Sequence, residues 1–283
     1  MTATDESART GSEATSSPVP PTRRRRPGRL LLPVWGWLVI AWLSSPIILM
    51  IIFGFNNTTG KFNIRWQGFT LRWYRELLTI PDLTQALENS LTIAVIVTLI
   101  ATAMGTLMGL ALGRYRFRGL GSVNLLMFAN IAAPEVVLGA ALLSLFLTVG
   151  IPRGYLTIVV AQVMFSIAYV TVTVRARMAG MDPSLEEAAR DLGAGALTTF
   201  WRVTLPSIMP GVLSGALLAF ALSIDDYIIT SFNAGNTVTF PLWVFGASRT
   251  GVPPQVNVMG TLIFLFGVLL AVGGALSARR KRA

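Results

Sequence analysis

The sequence contains no cysteine and no histidine. It therefore cannot form disulfides, and it has no Cys or His metal ligands and no Ser–His or Cys–His catalytic pair. Charged residues are scarce, at 13% of the 283 residues, whereas hydrophobic residues make up 53%. Soluble domains contain about 25% charged residues. These absences exclude several kinds of enzyme and indicate a membrane protein.

The hydrophobic residues form six long runs, each close to the length of about 20 residues that a helix needs to cross a bilayer. The sequence therefore predicts an all-α, polytopic membrane protein with six transmembrane helices. In chain order the runs cover residues 30–55, 90–113, 123–149, 155–174, 207–224 and 257–278.

Composition also divides the chain. Residues 1–32 are rich in Ser, Thr, Pro and Arg, so they bury too little apolar surface to repay the entropy of ordering, and we expect a disordered tail. Residues 33–278 form the six-helix transmembrane domain, which includes a polar segment at 182–206. Residues 279–283 form a basic C-terminus.

An even number of spans places both termini on one side of the membrane. If that side is the cytoplasm, all but six of the 23 Lys and Arg residues lie inside, as the positive-inside rule requires. The net charge of +10 then reflects membrane orientation and contact with lipid, and gives no reason to expect nucleic acid. The six outside are Lys61, Arg65, Arg72, Arg75, Arg153 and Arg249.

Glycines recur every four residues in two of the runs. Gly105, Gly109 and Gly113 fall in the second run, and Gly211 and Gly215 in the fifth. Small residues at this spacing leave bare backbone on one helix face and allow another helix to approach closely. We expect these faces to be helix-packing surfaces.

The polar segment has the local signals of a short capped helix. Asp182 can cap a helix whose first residue is Pro183, and Glu186 and Glu187 follow in the first turns, where the helix dipole favours anions. Gly193 is a natural stop. Taken alone, these signals fit an ordinary loop helix equally well.

Three acidic residues lie inside or at the end of apolar runs. Glu135 follows Pro134, which should loosen the third span, and Asp225 and Asp226 end the fifth span just before Tyr227. An acid at a helix centre costs about 2.5–3.5 kcal/mol on insertion, so it usually faces a pathway or a partner. Two alternatives stay open: Glu135 pairs with an arginine of another subunit, and the two aspartates cap the helix end.

Residues 54–62, GFNNTTGKF, are the nearest approach to a phosphate-binding loop. They have one residue too many between the glycines and Phe62 in place of Ser or Thr after Lys61. We therefore expect no nucleotide site and no bound cofactor in this chain.

Within the polar segment, residues 187–206 read EAARDLGAGALTTFWRVTLP, with the spacing Glu-Ala-Ala, three residues, Gly, nine residues, then Val-x-Leu-Pro. This spacing resembles the cytoplasmic coupling segment of the membrane-spanning subunits of ABC importers. The resemblance implies a short helix, a glycine turn and a second helix that dock on a separate ATPase subunit, with Val203 where isoleucine is more usual. The residues that it assigns to coupling are Glu187, Ala188, Ala189, Asp191, Gly193, Leu205 and Pro206.

Two further stretches, LSIDDYIITSF at 222–232 and PLWVFGASRTGVPPQVNVMGTLI at 241–263, are similar to permeases of spermidine/putrescine ABC importers. The similarity covers nearly all of residues 33–278. It implies a type I ABC importer permease fold, no enzymatic activity, and a place in a bacterial plasma (inner) membrane with both termini cytoplasmic. The implied partners are a second permease, two ATPase subunits that carry ATP and Mg²⁺, and an extracytoplasmic solute-binding protein.

The resemblance also implies a substrate pathway for polyamines, whose ammonium groups call for carboxylates and aromatic faces. Its candidate residues are Glu135, Asp225, Asp226 and Tyr227. One alternative is a permease for another small solute in the same importer class. Another is an ion-coupled secondary transporter, which should show inverted repeats or broken helices around an ion site. A non-transporting scaffold would leave the spacing and the acids unexplained.

Overall fold

The structure is a computed structural model that describes residues 31–60 and 62–280. The predicted tail up to residue 30 and the last three residues of the basic C-terminus lie outside the described residues. Within those ranges the regular structure is helical apart from one isolated bridge between Asn56 and Phe69, which confirms the all-α prediction. The helices are α1 (Leu31–Phe53), α2 (Arg72–Arg75), α3 (Pro81–Arg114), α4 (Leu120–Ala132), α5 (Glu135–Val149), α6 (Tyr155–Met178), α7 (Ser184–Asp191), α8 (Ala196–Thr199), α9 (Leu205–Asp225), α10 (Ile228–Asn233), α11 (Phe240–Ala247) and α12 (Pro254–Arg280).

The chain divides into two units, Met1–Pro46 and Ile47–Ala283. In its described part the first unit contains α1 up to Pro46, and the helix continues without interruption to Phe53. The packing and the sites described below all belong to the second unit.

Among the residues that the structure describes, five helices are long and apolar enough to cross a membrane, and the number is six if the bent pair α4 and α5 counts as one span. These two helices meet at 109°, so residues 123–149 do not form one loosened helix as expected. The reason is Pro134: Ala133 and Pro134 are both extended, with ψ of 137° and 132°. A residue before proline is driven out of the helical region, and the proline itself lacks the N–H that would continue the helix.

The fifth span begins earlier than predicted. Helix α8, a π-helical turn (Phe200–Thr204) and α9 form one continuous helix of 30 residues, Ala196–Asp225, whereas the apolar run starts only at residue 207. Pro206 lies in the first turn of α9 and lacks an N–H. The wider π turn just before it accommodates the missing donor without breaking the helix. The polar segment therefore joins the span directly.

The packed centre is formed by α3, α6 and α9, and the predicted glycine faces lie at their contacts. A Cβ at Gly105 would lie 2.7 Å from the Cβ of Val170, and one at Gly109 would lie 2.9 Å from the Cβ of Val174. A Cβ at Gly215 would lie 3.1 Å from Val170 as well. Because real Cβ atoms essentially never approach within 3.0 Å, the first two sites admit glycine alone without a shift of the helices. The prediction of close packing is confirmed.

Candidate functional site

Asp182 begins the polar segment as predicted. Its Oδ1 accepts the backbone N–H of Ser184 at 3.0 Å, and hydrogen bonds from Ser184 hold the pKa of this carboxyl below its ordinary value. Helix α7 runs from Ser184 to Asp191, one residue later than a start at Pro183. The negative side chain thus satisfies a free N–H at the N-terminus of α7.

Gly193 ends the helix in the predicted way. It has φ of +84°, a left-handed conformation that disfavours any residue with a Cβ. The N–H of Gly193 donates to the Arg190 carbonyl at 2.8 Å, and the N–H of Ala194 donates to the Ala189 carbonyl at 3.0 Å. This pair of hydrogen bonds is a Schellman motif, which fixes the direction in which the chain leaves α7.

The segment presents an exposed apolar surface. Leu192 is 89% exposed, Leu197 is 71% exposed and Trp201 is 60% exposed. Glu187 and Asp191 of α7 are exposed beside them. Exposed apolar side chains rimmed by charges indicate a protein contact surface. Of the other predicted coupling residues, Ala188 and Pro206 are exposed and Ala189 and Leu205 are half-buried.

Glu186 was predicted only as an anion in the first turns of this helix, and its burial and its partners on other helices were not predicted. It is only 3% exposed, whereas Glu187 beside it is exposed. Its Oε2 forms an ion pair with Arg114 at the end of α3 and lies 3.7 Å from Arg190, and its Oε1 accepts the Thr204 hydroxyl at 2.5 Å. The i,i+4 spacing of Glu186 and Arg190 was a visible signal, but the contacts with α3 and the π turn were not.

Burial raises the pKa of Glu186, because a buried charge loses its hydration. The hydrogen bonds from Arg114 and Thr204 and the charges of Arg114 and Arg190 act in the opposite direction and prevail, so the pKa lies below its ordinary value. The carboxylate is therefore ionised at neutral pH.

The two aspartates at the end of the fifth span differ in their surroundings. Asp225 is the last residue of α9 and is exposed. The Asp226 carboxylate accepts hydrogen bonds from the backbone N–H groups of Ile229 and Thr230, at 3.2 and 2.9 Å, and from Gln162 Nε2 at 3.1 Å. Asp226 thus caps the start of α10 instead of the end of α9, and the Asp225 side chain is left exposed.

Gln162 is a residue that the sequence reasoning missed. It is 2% exposed on α6, donates to Asp226 and to the Thr230 hydroxyl, and accepts the Ser223 hydroxyl. This amide fixes the turn that carries Asp225 against α6. An amide inside an apolar run was as visible in the sequence as the acids were.

Asp225 and Tyr227 line a cavity of about 500 Å³ between α9, α11 and α12. The Tyr227 and Phe245 rings lie 4.6 Å apart, and Phe245 also borders the cavity. A carboxylate and two aromatic rings thus face one space, which suits an organic cation. Phe245 was not predicted, because nothing in the sequence marks it among neighbouring apolar residues.

Glu135 lies on another helix, where it is exposed in the first turn of α5. Helix α5 packs on α10, where Gly139 contacts Phe232 and its carbonyl accepts Asn233 Nδ2 at 3.4 Å. Helices α5 and α10, whose contacting residues are more than 90 positions apart in the sequence, are therefore packed against each other.

A helical domain with several membrane-spanning helices, an exposed short helix between two of them and acids at the end of a span is typical of a subunit of a membrane transporter. A model of the family described as "binding-protein-dependent transport system inner membrane component" matches residues 101–282. The chain belongs to that family, and it is a multi-pass permease of the ABC importer class, a transport component and not an enzyme.

The curated relatives cover most of the chain. It is 38% identical over 255 residues to the spermidine/putrescine transport system permease protein PotC of Escherichia coli (strain K12), an alignment that spans 90% of this chain and 96% of PotC. It is 39% identical over 267 residues to the putrescine transport system permease protein PotI of the same strain, across 91% of this chain and 93% of PotI.

Solved structures agree on the fold. The chain matches a bacterial ABC transporter involved in import of the acidic polysaccharide alginate with a TM-score of 0.65 at 15% identity, covering 89% of this chain and 94% of that one. It matches an amino acid ABC transporter with a TM-score of 0.56 at 17% identity, covering 75% and 100%. The predicted type I importer permease fold is confirmed, and the ion-coupled secondary transporter is excluded.

Proposed function

We propose that this chain is a permease subunit of an ATP-driven importer of polyamines such as putrescine and spermidine. The observation that carries the proposal is the group formed by Asp225, Tyr227 and Phe245. Glu135, in the first turn of α5, is the second acid that we assign to the pathway. The names of the relatives PotC and PotI support the same substrate class.

The chemistry of the group fits a flexible polycation. Each ammonium group of a polyamine is stabilised by a carboxylate or by the face of an aromatic ring. Asp225 and Glu135 lie on different helices, so they supply two negative charges for two ends of one substrate. Asp225 is exposed, which keeps the contact weak enough for release.

The exposed surface of α7 is the docking site for an ATPase. Its apolar Leu192 and acidic Glu187 are available to another protein. In the complete importer two ATPase subunits, which bind ATP and Mg²⁺, dock on this segment and on that of a second permease. A solute-binding protein delivers the polyamine from outside. Closure of the ATPases moves α7, and the continuous helix from Ala196 to Asp225 carries the movement toward the acidic group.

Uptake by the reconstituted importer tests the substrate. We expect proteoliposomes that contain the chain with its partner permease and ATPase to accumulate labelled putrescine or spermidine when ATP and the binding protein are present. Unlabelled polyamine should compete and free lysine, with one net positive charge, should not. A partner ATPase that binds but does not hydrolyse ATP is the control. ATP-dependent uptake of another solute without polyamine uptake would contradict the proposal.

The proposal places both termini of the chain and α7 in the cytoplasm, in a bacterial inner membrane. Ser184 and Asn236 are both exposed, on opposite sides in this arrangement. We expect Asn236→Cys to react with a membrane-impermeant thiol reagent in intact cells, and Ser184→Cys to react only after the inner face is opened. The wild-type chain, which has no cysteine, is the unlabelled control. The reverse pattern would overturn the orientation.

A further inference from the structure

The buried carboxylate of Glu186 lies where three parts of the chain meet. Arg114 is the last residue of α3, Thr204 is the last residue of the π turn, and Glu186 belongs to α7. One carboxylate oxygen pairs with Arg114 and the other accepts the Thr204 hydroxyl. We call these three residues the Glu186 junction.

The junction faces away from the proposed docking surface. Glu186 is 3% exposed, whereas Glu187 and Leu192 are exposed. A cavity of about 360 Å³ lies beside the junction and is bordered by Arg114, Glu186 and Thr204. A change at Glu186 therefore leaves the surface that an ATPase would touch intact.

The covalent link between α7 and the fifth span passes through the left-handed Gly193, which the Schellman motif holds in place, and then through Gly195, which is extended with ψ of 164°. Gly195 lies beyond that motif and has no Cβ, so it permits rotation of α7 relative to α8. The buried ion pair and hydrogen bond connect α7 to the spans by a shorter route. Charges in such a place resist separation, because an unpaired buried charge is costly.

The junction lies near one end of the continuous helix whose other end carries Asp225. The helical rise of 1.5 Å per residue puts Asp225 about 30 Å from Thr204 along the same continuous helix. The π turn that ends at Thr204 is a type of local distortion often found at functional sites. A pull on Thr204 thus acts at the base of the helix that carries Asp225.

We propose that Glu186 is a positioning residue that transmits the movement of α7 to α3 and to the fifth span, and so couples ATP hydrolysis to transport. This inference rests on the proposed docking of the ATPase on α7. Glu186 touches neither substrate nor nucleotide, and it acts through Arg114 and Thr204.

The test is the amount of putrescine taken up per ATP hydrolysed, measured in proteoliposomes that contain the full importer with saturating binding protein. We expect Glu186→Gln and Arg114→Gln to lower this ratio about 5-fold or more, the lower end of usual coupling energies, while ATPase co-purifies at the wild-type level. The double variant should have a ratio no lower than that of the more impaired single variant, because both substitutions remove the same interaction. Arg114→Lys, which keeps the charge, should recover part of the ratio.

Arg116→Gln is the matched control and should behave as wild type. Arg116 is an exposed arginine two residues after Arg114, and it forms no ion pair among the described residues. An unchanged ratio in Glu186→Gln and Arg114→Gln would overturn the proposal. So would losses that follow the amount of assembled complex, which would mean that the junction serves folding, or losses that add in the double variant. Failure of the wild-type chain to retain the ATPase would instead refute the docking itself. Docking is measured by co-purification of the ATPase, whereas coupling is measured by the ratio of uptake to ATP hydrolysis.

Discussion

Asp225→Asn is expected to lower polyamine uptake about 10-fold or more while the amount of protein in the membrane stays unchanged. The substitution keeps the shape of the side chain but removes its charge, and a hydrogen bond to a charged group is worth about 1.5–3 kcal/mol, of which 1.4 kcal/mol is a factor of ten. Asp225 is exposed and accepts no side-chain hydrogen bond that would hold the fold among the residues that the structure describes. The measurement is uptake of labelled putrescine per assembled complex, with the binding protein saturated.

Three companion variants separate a pathway role from a structural one. Glu135→Gln should also lower uptake, because Glu135 is the second acid that we assign to the pathway. Asp82→Asn, at an exposed acid in the first turn of α3, is the matched control and should transport normally. Asp226→Asn should lower the protein level as well as uptake, because its carboxylate caps α10. Wild-type uptake in both Asp225→Asn and Glu135→Gln would mean that these carboxylates do not carry the cation.

Gly193→Val is expected to reduce the amount of ATPase that co-purifies with the importer about 10-fold, with transport falling in parallel and membrane insertion unchanged. At φ of +84° a β-branched residue is strained, at a cost of about 1–3 kcal/mol. Apart from Gly193 and its two chain neighbours, no heavy atom of the described residues lies within 4 Å of the position that a Cβ would occupy, so the cost is backbone strain and not a clash. Relief of the strain shifts the end of α7 and misplaces Leu192 and Glu187.

Gly193→Asn is the control, because asparagine tolerates the left-handed conformation better than other residues with a Cβ. We expect it to keep most of the ATPase binding that valine loses. Normal co-purification and normal substrate-stimulated ATP hydrolysis in Gly193→Val would show that the direction of the chain after α7 does not matter for docking.

The apolar runs predicted the spans well, and the two largest differences from prediction share a cause. The third span bends by 109° at Pro134, and the fifth begins at Ala196 instead of residue 207. Hydrophobicity reports where a chain can enter lipid, but helix continuity depends on hydrogen bonds and capping. A polar helix can therefore continue an apolar one, and a proline can divide a run that is apolar throughout.

In the two candidate sites the predicted residues were those with local signals. Asp182 and Gly193 interact with neighbours within a few positions in the sequence. The start and the end of α7 could therefore be predicted approximately from the sequence. Gln162 and Glu186 have partners 64 and 18 residues away, Asp226 and Thr204. No spacing rule connects such pairs, because the distance between them is set by how the helices pack.

By itself the sequence determined that this protein is a helical membrane protein, roughly where its apolar segments lie, and that a short capped helix ends at the Gly193 turn. These properties follow from the transfer of side chains into lipid and from hydrogen bonds between near neighbours. Only the tertiary structure decided that Glu186 is buried while Glu187 is exposed, and that Asp225 shares a cavity with Phe245. Those facts depend on which helix faces meet, since adjacent residues of a helix point about 100° apart, so one can lie in the core while the next is open to a partner.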